Sequence, residues 1–315
     1  MKLFYISLLL SALFLSGCIG EDMDACIESE TNNLTLKFCY TDGDGWDIFS
    51  DKINKVDVFV FNQTGSFICA ESVDKTSLSV FAGTQMNLSP GTYRIICWAN
   101  SFDNTKFNLS DDNITFTDAF IHNSLWEDVD ALFVNGDPLY YGQPIQDELS
   151  SSQEFTVTIP DKGEATATIP FCPAHITIEV FVTGLEDLSI GGELLPPTIE
   201  LAEIFTHYNF DMQTLEATIP YRDISTFHSI DEQQIATSCF YTPLFDEDTS
   251  IEIIIKKTSD QTTVTAFSLA SFMAENNITI DPIGETVIPI LIEYKQASVE
   301  IKLPTWGKNP IKPEM

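Results

Sequence analysis

The chain has 315 residues, 44% of them hydrophobic and 11% aromatic, which is enough apolar material for two cores or one large β domain. Its 47 acidic residues outnumber 15 basic ones, for a net charge of −32, so neither a nucleic acid nor an anionic lipid surface fits as partner. The first element is a leader: Lys2, an apolar run from Leu3 to Leu15, then Leu15-Ser16-Gly17-Cys18. That run is too short for a permanent membrane helix, which needs about 20 residues. Its ending in small residues and a cysteine marks a bacterial lipoprotein signal peptide over residues 1–17, cut before Cys18. Cys18 is then the lipid-attachment residue, and several acyl chains at about 0.8 kcal/mol per buried CH₂ make a lasting anchor in the outer membrane. Ile19 follows in place of the Asp that retains lipoproteins at the inner membrane. Glu21, Asp22 and Asp24 resemble an acidic export signal for the cell surface, and read equally by composition as part of a solvated linker over 18–32.

From Asn33 the dominant period is two, as in Leu34 to Tyr40 and Lys55 to Phe61, which predicts half-buried strands. Asn62 to Gly65 reads as a turn before Phe67 to Ala70, and the run through Tyr93 to Trp98 continues a β-meander. Leu125, Val129, Leu132 and Phe133 fall at helical spacing and predict a short helix ahead of Gly136-Asp137-Pro138. The composition breaks at Ser150 to Gln153, and a turn follows at Pro160 to Gly163. The alternation then resumes in Ala165 to Ile169, Ile176 to Val182, Ile251 to Ile255, Val287 to Tyr294 and Ala297 to Leu303. Ser268 to Asn276 is the helix candidate of this half. The pattern gives an all-β chain of two tandem β-sandwiches with a few short helices, 33–163 and 164–303, then a Pro-rich tail over 304–315.

Chemistry-bearing motifs are sparse. With Cys18 committed to lipid, Cys26, Cys39, Cys69, Cys97, Cys172 and Cys239 remain, but Cys39, Cys69 and Cys97 lie inside strand runs where thiols act as small hydrophobes, leaving at most one or two disulfides. His122, His175, His207 and His228 form no metal-binding spacing, and no metal is expected. Neither a nucleophile elbow nor a phosphate loop is present. The stretch Asp42 to Asp47 lacks the glutamate of a calcium loop and reads as a glycine-rich hairpin loop. Trp46, Trp98, Trp126 and Trp306 could line a sugar site, though tryptophan in sandwiches serves more often in cores.

Taken in order, these features resemble the FimB-type family of fimbrial anchor lipoproteins, the base subunits of type V pili. The resemblance rests on the lipobox cysteine with acids after it, Cys26 before Leu34 to Tyr40, Asp47-Ile-Phe49 leading to Ile53 and Val56 to Phe61, Gly65-Ser-Phe67, Leu88 to Tyr93, Cys97-Trp-Ala-Asn100, Leu139 to Gly142, and Val299-Glu-Ile to Trp306. It implies two transthyretin-like domains, a non-enzymatic role holding a fimbria to the outer membrane and limiting its length, fimbrial pilins as partners, and no cofactor beyond the lipid on Cys18. A surface glycan-binding lipoprotein is the competing reading. Stalk pilins of this kind are implied to be cut at an arginine, yet the arginines here are Arg94 and Arg222, both inside domains, so the first strand is expected to stay in place. For contact with the next pilin, Ala297, Val299, Ile301 and Leu303 are the strand candidates. Their segment is expected to pair with Val287 to Tyr294, while Pro304, Pro310 and Pro313 make the tail a poor inserted strand.

Overall fold

The computed structural model describes residues 32–109, 114–128, 130–144, 156–184, 195–230, 233–281, 284–295 and 298–305. In chain order the elements are β1 (Leu34–Cys39), α1 (Phe49–Lys52), β2 (Lys55–Asn62), β3 (Phe67–Asp74), α2 (Lys75–Val80), β4 (Gly83–Met86), β5 (Gly91–Ala99), β6 (Thr105–Asn108), β7 (Phe120–Asn123), β8 (Tyr140–Gly142), β9 (Thr156–Ile159) and β10 (Ala165–Pro173). The second half holds β11 (Ile176–Thr183), β12 (Thr198–Phe205), β13 (His207–Asn209), β14 (Thr218–Ile224), β15 (Thr226–Ile230), β16 (Gln233–Thr242), β17 (Glu252–Lys256), β18 (Thr263–Ser268), α3 (Leu269–Asn276), β19 (Thr286–Lys295) and β20 (Ser298–Lys302). The fold is the expected pair of β-sandwiches.

In the first sandwich the path β3-β2-β5-β8-β10-β1-β4 folds over on itself, with β9 also on β5. Residues Ala165 to Pro170 of β10 run parallel to β1, whereas Phe171 to Pro173 pair antiparallel with β8. The change of partner falls at Pro170, which has no N–H to give a continuing ladder. Between the layers lie Leu34, Leu36 and Phe38 of β1 against Val56, Val58 and Val60 of β2 and Ile95 and Cys97 of β5.

The opposite face of β2 and β5 is covered as well. Phe59, Phe61, Ile96 and Trp98 pack under a three-stranded sheet, β13-β7-β6, that carries Ile121 and Tyr208. Burial on both faces explains why β2 reads as a nearly unbroken apolar run. The expectation of half-buried strands is corrected there.

The second sandwich sets β15-β16-β11-β19-β20 against β14-β12-β17-β18. Ile176, Ile178, Val180 and Val182 of β11 alternate into its core with Ile288, Ile290 and Ile292 of β19, and α3 closes one end with Leu269, Phe272 and Met273. The predicted helix at Ser268 is present: the Ser268 hydroxyl accepts from Ser271 N–H at the N-terminus, and Asn277 ends it in the left-handed conformation.

Three further expectations need correction. The meander reading fails for β1, whose partners are β4 and the distant β10, and β11 likewise runs parallel to the distant β19. Parallel neighbours need a long crossover, and here most of a sandwich supplies it. The expected division at 163/164 falls before β10, but β10 belongs to the first sheet, so the chain changes sandwich at Ala174-His175. Residues 124–134 form turns and one isolated bridge in place of a helix; Val129 lies outside the described residues.

Candidate functional site

For a protein expected to join a membrane to a fibre, the parts that matter are the attachment at each end and whatever makes the two sandwiches one body. Cys18, Glu21, Asp22, Asp24 and Cys26 lie outside the described residues, as do Ala297 and Trp306. The waist and the outer edge of the second sandwich are described in full side-chain detail.

The waist is built by the segment that was expected to be a helix. Val134 makes both backbone hydrogen bonds of a bridge to Arg222 on β14, at 3.0 and 2.9 Å, and the Arg222 guanidinium donates to the Ala131 carbonyl at 3.1 Å. Arg222 is itself held by Glu200 at 2.7 Å, and Lys256 joins the same carboxylate oxygen at 2.8 Å. Although burial acts to raise the Glu200 pKa, hydrogen bonds from Lys256 and Arg222 outweigh it and hold the carboxyl below its usual range.

The next residue, Asn135, reads the other sheet of the second sandwich. Its amide donates to the Cys239 carbonyl at 2.8 Å and accepts from Tyr241 N–H at 3.0 Å, standing in for a neighbouring strand. Gly136 follows because a Cβ there would lie 2.1 Å from the Tyr241 carbonyl oxygen. Asp137 then turns to the first sandwich, accepting from Phe102 N–H at 2.7 Å, Thr105 Oγ1 at 2.7 Å and Asn104 Nδ2 at 3.2 Å. Burial pushes its carboxyl above the usual range despite these donors. Four consecutive residues, Val134 to Asp137, thus tie both sheets of one sandwich to the other.

A second tie crosses the waist nearby. Glu285, ahead of β19, receives Lys52 Nζ at 2.6 Å from α1 and Tyr140 Oη at 2.6 Å from β8. His175 sits buried at the change of sandwich, its Nδ1 donating to the Leu139 carbonyl at 2.8 Å and its ring edge-on to Tyr140 and Tyr241. Burial lowers its pKa, so the ring is a neutral spacer.

At the far end, β20 pairs antiparallel with β19 from Leu291↔Lys302 to Lys295↔Ser298, as expected, and no described strand lies beyond it. Val299 is 39% exposed, with Ile301 and Leu303 half-buried at the rim of the core. On the other face Lys302–Glu293 and Lys295–Glu300, each at 2.6 Å, form an exposed ion ladder. Such pairs add little stability but blunt unspecific strand pairing at an open edge.

The other candidate residues fall where packing predicts. No disulfide joins Cys39, Cys69, Cys97, Cys172 and Cys239 to one another. Trp98 is buried in the layer beneath β7, while Trp46 is 73% exposed on a loop closed by Asp42, whose Oδ1 accepts from Asp44 and Trp46 N–H at 3.0 and 2.9 Å. His122 and His207 face each other across β7 and β13 beside Trp126. Among the described residues no cluster of three or more His, Cys, Asp or Glu could hold a metal.

Two sandwiches locked at the waist, with an open strand at one end, define an all-β two-sandwich module. The chain belongs to the family of fimbrillin-A associated anchor proteins Mfa1 and Mfa2, whose model matches residues 24–311. It is a fimbrial anchor family and not an enzyme family, and membership puts the chain at the cell envelope in association with fimbrial subunits. Among the described residues no helix is long and apolar enough to cross a membrane. The fold is similar to that of the fimbrial anchor protein Mfa2 from Porphyromonas gingivalis, with 14% identity, a TM-score of 0.56, and 85% of this chain and 94% of that one covered. It is also similar to a candidate adhesin from Bacteroides ovatus (14% identity, TM-score 0.63, 87% and 94% covered). A candidate polysaccharide-binding protein from Bacteroides thetaiotaomicron shares the fold too (16%, 0.61, 84% and 91%). No curated protein sequence matches the chain.

Proposed function

We propose that this protein is an outer-membrane lipoprotein, attached through acyl chains on Cys18, that anchors a type V fimbria to the cell surface and terminates its growth. In this reading residues 1–17 are removed as a signal peptide, Glu21, Asp22 and Asp24 direct export, and 18–32 is the linker between lipid and first sandwich. The observation that carries the termination step is the position of β1. It lies between β4 and β10, paired with both, and its Leu34, Leu36 and Phe38 are all at most 3% exposed. A subunit that keeps this strand offers no empty groove for another subunit on that side. Arg94 lies in β5 and Arg222 in β14, so an arginine-directed cut has no target ahead of the first strands.

Labelled fatty acid and fibre retention test the reading together. Cells with Cys18→Ala should lose label from this protein and shed fimbriae into the medium, and deletion of the gene should shed long fibres. Label persisting in the variant, or fibres of unchanged length and attachment after deletion, would defeat it.

A further inference from the structure

Outside the waist and the edge, the first sandwich carries a broad cleft of about 940 Å³. That lies in the upper part of the roughly 300–1,000 Å³ range of small-molecule sites. Its floor is Arg94 of β5. Its walls are the β2–β3 turn at Asn62 to Gly65, the turn at Thr115 to Thr117, and the turn after β13 at Asp211 to Gln213.

The floor is flat and electrically neutral. The Arg94 guanidinium lies 3.5 Å over the ring of Phe116, and its Nη2 meets Asp211 Oδ1 at 2.5 Å. Phe116 is buried beneath it, so the face offered to the cleft is the guanidinium plane. These two are the charged residues of the lining, and they cancel each other.

The walls are pre-set. Asn62 Oδ1 accepts from Thr64 N–H and Ser66 N–H at 2.9 and 3.0 Å, and Phe116 N–H donates to the Gly65 carbonyl at 2.7 Å, stapling one turn to the next. On the other wall Asn209 Oδ1 accepts from the N–H groups of Asp211 and Gln213 at 3.0 and 2.9 Å. With Oδ1 engaged, Asn62 has its Nδ2 to offer; Gln63 has its whole amide, Gln213 its Nε2 and Asp211 its second oxygen. Both donors and acceptors therefore remain to line the cleft.

A hydroxyl group both donates and accepts, so a ring bearing several adjacent hydroxyls matches this lining, whereas a polyanion meets no uncompensated cation. We infer that the cleft of Asn62, Gln63, Arg94, Asp211 and Gln213 is a binding site for a neutral oligosaccharide. This is a second activity, independent of anchoring.

The test uses the whole protein purified in a non-glycosidic detergent. Affinity electrophoresis and titration calorimetry are run with mannan, laminarin, xyloglucan and galactomannan, and with polygalacturonate as acidic control. At least one neutral glycan should bind, Gln63→Ala with Gln213→Ala should weaken that binding tenfold or more, and polygalacturonate should not bind. Gln63 is exposed, so the single Gln63→Ala variant, which should weaken binding by several-fold, keeps the test valid if the double variant melts early. The inference is overturned if no neutral glycan binds, if binding survives both substitutions unchanged, or if the acidic polymer binds as well as the neutral ones.

Discussion

Glu285 closes on Lys52 across the waist, carboxylate oxygen to ammonium at 2.6 Å, with the same carboxylate also accepting from Tyr140. Burial acts to raise its pKa, but the hydrogen bonds from Lys52 and Tyr140 and the Lys52 charge hold it below the usual value. A carboxyl depressed in the folded state contributes stability above its unfolded pKa, roughly 4.3, and loses it as pH falls through the folded value. Glu285→Gln should therefore cost about 1 kcal/mol at pH 7, read as a melting temperature lower by about 2–4 °C. The gap between variant and parent should shrink below about pH 4, and a gap that stays constant down to pH 3 would mean the charge is not what joins the domains.

The Asn135-Gly136 pair should matter more. Asn135→Ala leaves the Cys239 carbonyl and Tyr241 N–H without these partners, a loss of about 2–3 kcal/mol. Gly136→Ala forces a Cβ to within 2.1 Å of the Tyr241 oxygen, which only backbone movement relieves, and should cost about as much or more. Urea denaturation should show the single transition broaden or split as the sandwiches uncouple. A Gly136→Ala variant within about 0.5 kcal/mol of the parent, the usual range of surface changes, would show that the segment does not clamp.

Local patterns carried much of this architecture in the sequence. The alternation through β11 and β19, the turn at Gly65 and the capped helix at Ser268 were legible because each is decided by neighbours within a few residues. The waist was not. Leu125, Leu132 and Phe133 have helical spacing, but the backbone at Ala131 and Val134 is claimed by Arg222, and Leu132 and Phe133 end up 67% and 55% exposed. Likewise nothing local to Ala165 to Pro173 says that it belongs with β1, a partner about 130 residues earlier. An Asn-Gly-Asp run between two strand-rich halves was the available signal, and it reads equally as a turn.

Tryptophan separates core from surface in a way that can be measured. Trp98 is fully buried, edge-on to Tyr141 at 5.0 Å, so Trp98→Ala should cost about 3–5 kcal/mol. Trp46 is 73% exposed, and Trp46→Ala should leave the unfolding midpoint within about 0.5 kcal/mol of the parent. Fluorescence quenching by acrylamide should fall in the Trp46 variant. Equal losses of stability in both variants would contradict this division.

The last prediction concerns which part of the second sandwich meets a pilin. In β20 every second residue points its backbone N–H and C=O away from β19, and no described strand takes them up. Val299, Ile301 and Leu303 give that edge an apolar rim, so an extended segment of a partner could add to it by strand pairing and cover the rim in the same step. The tail is a poorer candidate for insertion, since Pro304, Pro310 and Pro313 each remove a backbone donor. Truncation after Leu303 should therefore leave fibres attached. Val299→Lys, placing a charge on the rim where the side chain is already 39% exposed, should leave the melting temperature nearly unchanged but release fibres. Removal of the chain from 297 onward should destabilise the second sandwich, because Ile301 and Leu303 pack on its core. If loss of the tail alone freed the fibres from a folded protein, or if Val299→Lys held them as firmly as the parent, the contact would lie elsewhere than the edge of β20.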